Sequence, residues 1–185
     1  MARRASGEGA ATDSGSGPPA DPESVARTIL LNKLTAQPRT RAELAEMLAK
    51  KLVPGEVATR VLDRFEEVGL VDDRAFARSW IESRQSGRGL ARRALAQELR
   101  RKGVDDEVAR EALDEVDPET EETTARDLVR RKLRTMSRLD DQTRVRRLTG
   151  MLARKGYPPG LAFTVVREEV ADADLAADVE PPVDF

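Results

Sequence analysis

Residues 92–104 read Arg-Arg-Ala-Leu-Ala-Gln-Glu-Leu-Arg-Arg-Lys-Gly-Val, and this pattern occurs three times in the chain. The first copy lies 51 positions before this stretch, and the last copy lies 53 positions after it. Two leucines four residues apart mark one face of a helix, and a lysine and an apolar residue follow where that helix would end. This internal repeat decides the fold. Its shared positions are Leu44, Leu48, Lys51 and Val53, then Leu95, Leu99, Lys102 and Val104, then Leu148, Leu152, Lys155 and Tyr157.

A second segment with helical spacing precedes each copy of the repeat. It begins at Val25, Phe76 or Thr124, each followed by Ala-Arg, and its apolar residues come four and five positions later. A third apolar segment follows each copy. Three short helices over about 50 residues bury little surface alone, so such units need neighbours. The sequence therefore predicts an all-α fold, with three tandem three-helix repeats forming an elongated, curved, solenoid-like body.

The two ends of the chain lack this apolar spacing. The first twenty residues are rich in Gly, Ala and Ser, and the last fourteen are acidic and contain Pro181-Pro182. Such compositions do not support a packed core, and both ends are predicted to be disordered. The predicted organisation is a disordered tail over 1–20, helical repeats over 21–71, 72–116 and 117–171, and an acidic disordered tail over 172–185.

The composition excludes several classes of protein. The 185 residues include no Cys and no His. Zinc ribbons, haem ligation, thiol catalysis and histidine acid–base chemistry are therefore excluded. No stretch approaches the ~18 consecutive apolar residues of a membrane span. We predict no enzymatic activity, no cofactor, no metal site and no membrane partner.

The formal net charge of −2 conceals a strong segregation of charge along the chain. Nine basic and two acidic residues lie within 74–102, and eleven basic and three acidic residues lie within 126–155. Between these bands, residues 105–122 carry ten acidic residues and one arginine. Basic bands of this density predict contact with a polyanion or with an acidic protein surface.

The predicted contact residues come from these basic bands. Arg93 and Arg146 occupy equivalent positions, at about 160° from Leu95 and Leu148 around their helices, and therefore face solvent. With their neighbours they would form a basic ridge across the second and third repeats. Pairs such as Arg101-Lys102 can also be explained as helix caps, because cations at the C-terminal end of a helix are stabilised by the helix dipole. The predicted contact residues are Arg84, Arg88, Arg92, Arg93, Arg100, Arg101, Arg146, Arg147 and Arg154. The predicted core residues are Phe76, Trp80, Leu95, Leu99, Leu148 and Leu152.

The second repeat also carries a family resemblance. Residues 69–84 read Gly-Leu-Val-Asp-Asp-Arg-Ala-Phe-Ala-Arg-Ser-Trp-Ile-Glu-Ser-Arg, and Gly89 and then Gln-Glu-Leu-Arg-Arg-Lys-Gly-Val at 97–104 follow. In order, spacing and residue type, these segments resemble the RecX family of regulatory proteins. Together with the tandem repeats, the resemblance extends from Asp21 to about Ala171.

The resemblance implies a bacterial cytoplasmic protein that negatively regulates the RecA recombinase. Such a protein would bind the RecA–single-stranded DNA filament and inhibit its ATPase, strand exchange and recombinase activities, within homologous recombination, DNA repair and the SOS response. The expected partners are the RecA filament and single-stranded DNA, the latter bound weakly or through RecA. The resemblance supplies no catalytic residue, and we expect the protein to be a monomer.

An alternative interpretation is a winged-helix or helix-turn-helix transcription regulator. Residues 40–73 have the spacing of a helix-turn-helix, with a recognition helix over 57–68 and a wing starting at Gly69. A wing requires two strands, but helical spacing resumes after Asp73. The proposed recognition helix and the residue before it also carry four acidic residues against two arginines, which suits a DNA groove poorly; they are Glu56, Asp63, Glu66 and Glu67 against Arg60 and Arg64. For Asp72 and Asp73, capping of the next helix is favoured over a catalytic carboxylate pair.

Overall fold

The computed structural model describes residues 21–178 of the chain. Every regular element in this range is a helix, so the all-α class and the tandem three-helix units are confirmed. No helix in the described range has both the length and the apolar character needed to cross a bilayer. The helices are α1 (Pro22–Ala36), α2 (Arg41–Lys50), α3 (Gly55–Glu67), α4 (Asp73–Arg88), α5 (Arg92–Arg101), α6 (Asp106–Asp114), α7 (Pro118–Leu133), α8 (Asp141–Arg154) and α9 (Pro159–Asp178).

Side-chain caps fix where several of the helices begin. Thr40 and Glu43 form a reciprocal capping box at the start of α2, so two otherwise unsatisfied backbone N–H groups gain partners. The Asp72 carboxylate accepts a hydrogen bond from the backbone N–H of Ala75 at 2.9 Å and caps α4. Asp105 caps α6 in the same way. Asp72 and Asp105 therefore cap the helices that follow them, as the sequence predicts. For Asp73 the prediction is wrong, because this residue is the first of α4 and its carboxylate accepts a hydrogen bond from the backbone N–H of Arg41 at 2.9 Å.

Each unit has its own apolar core. Leu44, Leu95 and Leu148 are fully buried at 0% exposure, in equivalent places, as the repeat predicts. Each belongs to a different cluster of buried side chains, so every unit packs mainly against itself. Of the other residues predicted to be core, Leu99 and Leu152 are fully buried, Phe76 is buried, and Trp80 is partly buried and stacks on Phe76.

The first and second units meet through the ends of their middle helices, α2 and α5. The Thr40 hydroxyl at the start of α2 donates a hydrogen bond to the Lys102 carbonyl at the end of α5, at 2.7 Å. The Lys102 ammonium pairs with Glu43 of α2, also at 2.7 Å. Gly103 follows with a φ of +75°, and a Cβ at this position would lie 2.3 Å from the Ala42 Cβ. The close approach of the two helices therefore requires glycine.

The second and third units repeat this arrangement with α5 and α8. The backbone N–H of Ala91 donates to the Lys155 carbonyl at 2.9 Å, and the Tyr157 hydroxyl donates to the Gly89 carbonyl at 3.2 Å. Gly156 has a φ of +90°, and a Cβ there would lie 2.5 Å from the backbone nitrogen of Ala94. Successive units are therefore joined by one recurring contact, in which the end of one middle helix meets the start of the preceding one.

The first unit differs at the position equivalent to these two glycines. Leu52 stands there, in the left-handed region with a φ of 59°, and its side chain is 89% exposed. A branched residue in this conformation costs about 1–2 kcal/mol. The leucine side chain has room because no described unit precedes the first one.

Tyr157 provides a spectroscopic test of the contact between the second and third units. Burial raises its pKa to about 12, against about 10 for an exposed tyrosine. The stabilisation from the protonated hydroxyl is therefore complete below about pH 10 and is lost as pH rises towards the folded-state value. Because the chain has one tyrosine, we expect an ultraviolet titration to give a midpoint near 12 for the folded protein and near 10 in urea. A midpoint near 10 without denaturant would contradict the buried contact.

The structure corrects the predicted start of the C-terminal tail. The sequence predicts disorder from residue 172, but α9 continues to Asp178, so residues 172–178 are helical. The Asp174 carboxylate accepts a hydrogen bond from the Arg144 guanidinium at 2.8 Å, which holds this last part of α9 against the rest of the unit. Residues 1–20 and 179–185 lie outside the described range, and disorder there stays a prediction.

The wing that the helix-turn-helix interpretation requires is absent from residues 21–178. Where the first strand of a wing would start, the chain enters α4 at Asp73. The acidic face of α3 is also engaged within the first unit, because Arg41 pairs with both Asp63 and Glu66 at 2.6 Å. Within residues 21–178, α3 therefore lacks the companion elements and the charge that duplex readout by this motif would need.

Candidate functional site

Ion pairing divides the nine arginines predicted to contact a partner into two groups. Four of them pair with carboxylates: Arg84 and Arg88 with Glu98, Arg92 with Glu121, and Arg100 with Asp106. The other five form no ion pair with any described residue, and they are Arg93, Arg101, Arg146, Arg147 and Arg154. The second group has charge available for a partner.

Glu98 pairs with the two arginines in the C-terminal half of α4. Its side chain is only 14% exposed, and it accepts hydrogen bonds from Arg84 at 3.0 Å and from Arg88 at 3.1 Å. It also accepts one from the Trp80 indole N–H at 3.0 Å. The Arg84 guanidinium carbon lies 4.0 Å from the centre of the Trp80 ring, a cation–π contact. Arg84 therefore helps to hold α4 against α5, in addition to carrying a positive charge.

Arg92 joins the second unit to the third. Its guanidinium donates to the Val116 carbonyl and lies 3.6 Å from the Glu121 carboxylate. Its backbone N–H donates to the same carboxylate at 3.2 Å. Because the Glu121 side chain is 11% exposed, the ion pair is largely shielded from solvent. Arg92 is thus part of the packing between units, not of the free basic surface.

The unpaired arginines of α8 line an open cleft in the third unit. The cleft has a volume of about 460 Å³ and lies between α8, the end of α7 and the loop that joins them. Of the described residues that line it, four are cations and none is a carboxylate. We call it the basic cleft, and its lining residues are Lys132, Thr135, Met136, Leu139, Arg146, Arg147, Gly150, Met151 and Arg154.

The contact between α5 and α8 brings more positive charge beside the cleft. Since the Ala91 N–H bonds to the Lys155 carbonyl, the exposed Arg154 and Arg93 lie one and two residues from this contact. The Lys155 ammonium donates to the Arg88 carbonyl. Burial lowers the pKa of Lys155, and so does the positive charge of Arg88 and Arg131. Cations of the second and third units therefore act on one another here.

The sequence alone did not identify part of this site. Lys132 of α7 lies in the second basic band but is not among the predicted contact residues. The apolar residues of the cleft, Met136, Leu139 and Met151, could be recognised only as possible core. No group of three acidic side chains in the described range is arranged to hold a metal ion.

Comparison with known proteins identifies a family for all three units. Three family models match in tandem: the first three-helix domain of RecX at residues 26–65, the second at 72–113 and the third at 119–166. A solved structure of RecX from Lactobacillus salivarius superposes with a TM-score of 0.73 at 20% identity, covering 84% of this chain and 99% of the other. A second solved structure, of a regulatory protein RecX, gives a TM-score of 0.70 at 24% identity, with 83% and 73% covered. At these identities the superpositions show a shared fold.

Full-length relatives are more similar in sequence. Regulatory protein RecX of Streptomyces coelicolor is 57% identical over 155 residues, which cover 84% of this chain and 82% of the relative. Regulatory protein RecX of Thermobifida fusca is 52% identical over 168 residues, which cover 91% of both chains. The family matches, the shared fold and these identities lead to one conclusion: the chain belongs to the RecX family.

Proposed function

We propose that the protein is a negative regulator of RecA. It binds the RecA–single-stranded DNA filament and inhibits ATP hydrolysis and strand exchange by RecA. Membership of the RecX family supports RecA as the partner. The surface proposed to contact the partner is identified by the unpaired arginines on α5 and α8, together with the basic cleft. Such a surface attracts phosphates and acidic protein loops, both of which a nucleoprotein filament exposes.

The alternating charge of the chain supports binding to a partner that carries both negative and positive surface. The basic surface involves the second and third units, whereas α6 exposes four acidic side chains, of which three pair with arginines of the second unit and Asp114 forms no ion pair with a described residue; the four are Asp106, Glu107, Glu111 and Asp114. A uniformly basic protein would coat bare DNA, but acidic and basic regions side by side suit a partner that carries both charges. Inhibition is then an effect of binding, without catalysis or a cofactor. The protein would work in the cytoplasm as a monomer, and reach single-stranded DNA weakly or through RecA.

The proposal is tested by the ATPase of RecA on single-stranded DNA, with and without the purified protein. We expect the rate of ATP hydrolysis to fall as the protein is added, and strand exchange to fall with it. An unchanged rate at saturating protein would contradict the proposal. A sequence-specific shift of duplex DNA without RecA would instead support the transcription-regulator interpretation.

A Glu98→Gln variant should bind single-stranded DNA more tightly. The change removes the charge that holds Arg84 and Arg88 but leaves an oxygen that can accept from Trp80. With one or two further phosphate contacts, the slope of log affinity against log salt should steepen by about 0.7–1.4. Anisotropy of a labelled thymidine oligonucleotide over a salt series measures this slope.

A Glu46→Gln variant is the matched control. It removes the same charge from an exposed pair with Lys50 in the first unit, far from the basic cleft in sequence. Its slope should equal that of the unmodified protein. Equal steepening in both variants would mean that only the total charge of the protein matters, and that Glu98 does not restrain the two arginines.

A further inference from the structure

The basic cleft combines a charged rim with an apolar floor. Lys132, Arg146, Arg147 and Arg154 provide four cations around it. The floor consists of Met136, which is 8% exposed, with the partly buried Leu139 and Met151. These three side chains belong to the core of the third unit, so the floor is a place where that core reaches the surface. A volume of about 460 Å³ lies within the range of ligand pockets.

The cations of the cleft are distinct from the other arginines of the third unit. Arg126 and Arg130 pair with Glu169, and Arg144 pairs with Asp141 and Asp174. In contrast, none of the four rim cations forms an ion pair with a described residue. Carboxylates of α9 thus neutralise one part of the unit. Around the cleft positive charge predominates: hydrogen bonds from Thr143, and to a smaller extent the charge of Arg146, lower the pKa of Asp140, but the Asp140 and Arg146 side chains form no ion pair. This charge favours an anionic occupant.

The floor distinguishes between two anionic occupants. Proteins that bind single-stranded nucleic acid use aromatic side chains on which bases stack. Among the described residues, none that lines the basic cleft is aromatic. Methionine is flexible and polarisable, and it suits apolar side chains of varied shape. The floor therefore fits an aliphatic or aromatic side chain of a peptide better than it fits a base.

We propose that the basic cleft binds an acidic peptide segment of a protein partner. Carboxylates on both sides of the segment meet Arg146, Arg147 and the other rim cations, and one large apolar side chain between them packs on Met136 and Met151. The inference rests on the proposed function, because it specifies the partner chemistry at part of the proposed contact surface. It assigns this part of the surface to protein and not to phosphate.

The test measures binding of labelled peptides to the full chain by fluorescence anisotropy. One peptide has glutamates flanking a leucine and a phenylalanine, and the second has serine at both apolar positions. A thymidine oligonucleotide of equal charge is the third probe. We expect the apolar peptide to bind at least about tenfold more tightly than either other probe, because only it fills the floor. Equal binding of the two peptides, or tighter binding of the oligonucleotide, would overturn the inference.

Two variants locate the peptide, and a third serves as control. Arg146→Glu with Arg147→Glu should weaken binding of the apolar peptide by at least about tenfold, since like charges then meet in the cleft. Met151→Ser should weaken it while leaving the serine peptide unaffected. Arg60→Glu changes an exposed arginine of α3 that has no ion pair among the described residues, and should change nothing. Peptide binding that resists the double reversal places the site elsewhere and refutes the inference.

The outcomes for the cleft and for RecA can be separated. If RecA inhibition is observed but the apolar peptide shows no preference, the cleft inference is wrong and the proposed function stands. If the peptide binds the cleft but RecA activity is unchanged, the site exists and RecA is not its partner. Should Met151→Ser unfold, the comparison of the two peptides on the unmodified protein still decides the question.

Discussion

Replacing Gly156 with alanine is expected to lower the free energy of unfolding by about 2–5 kcal/mol. Two costs add: the φ of +90° is unfavourable for any residue with a Cβ, and the new Cβ would lie 2.5 Å from the backbone nitrogen of Ala94. Backbone cannot move aside as a flexible side chain can, so α8 and α5 must separate. Urea unfolding followed by circular dichroism measures the loss.

Gly69→Ala is the control that isolates the contact between units. Gly69 has a similar φ of +72°, but a Cβ there would meet nothing within 4 Å. Its replacement should therefore cost only the backbone strain, about 1–2 kcal/mol. The excess loss in Gly156→Ala then reports the contact between the second and third units. Equal losses in the two variants would show that this contact contributes little.

Reversing Arg93 and Arg146 to glutamate together should weaken inhibition of RecA strand exchange by at least about tenfold. Both side chains are exposed and form no ion pair among the described residues. The reversal therefore breaks no ion pair, although it removes the attraction between Arg146 and Asp140, and solvent-face changes alter stability by only about 0.5 kcal/mol. Across the proposed interface, in contrast, acid would replace an attractive cation. Titration of the variant into a strand-exchange reaction measures the loss.

A second double reversal controls for the change in net charge. Lys33→Glu with Arg60→Glu makes the same change in net charge at two exposed cations of α1 and α3, which form no ion pair among the described residues. This variant should inhibit RecA almost as well as the unmodified protein. If the Arg93 and Arg146 variant also retains full inhibition with an unchanged thermal melt, these two residues do not contact the partner.

The helices and their grouping could be predicted because they depend on local spacing. The recurrence of Leu44 as Leu95 and Leu148 marks the buried face of each middle helix, and all three are fully buried. Gly103 and Gly156 could likewise be predicted to end helices. Their second role, close approach to the preceding unit, depends on how units stack, and no local pattern shows it.

The candidate site was harder to predict because its charges are sorted by tertiary contacts. Arg84 and Arg93 look alike in the sequence, but the structure pairs Arg84 with Glu98, 14 positions away, and gives Arg93 no ion-pair partner within residues 21–178. The end of α9 shows the same limitation. From its sequence this acidic segment is predicted to be a disordered tail. The structure shows Asp174 paired with Arg144, 30 positions away.

Leu52 limits how many units can stack. The glycines at the equivalent positions of later units admit a preceding middle helix, since a Cβ there would lie 2.3 Å or 2.5 Å from it. With a leucine at this position, another copy of the protein cannot dock on the first unit in the same manner. Stacking by this contact therefore does not continue beyond the first unit. A protein proposed to restrain a helical polymer thus lacks the contact by which its own copies would join end to end in the manner of its units.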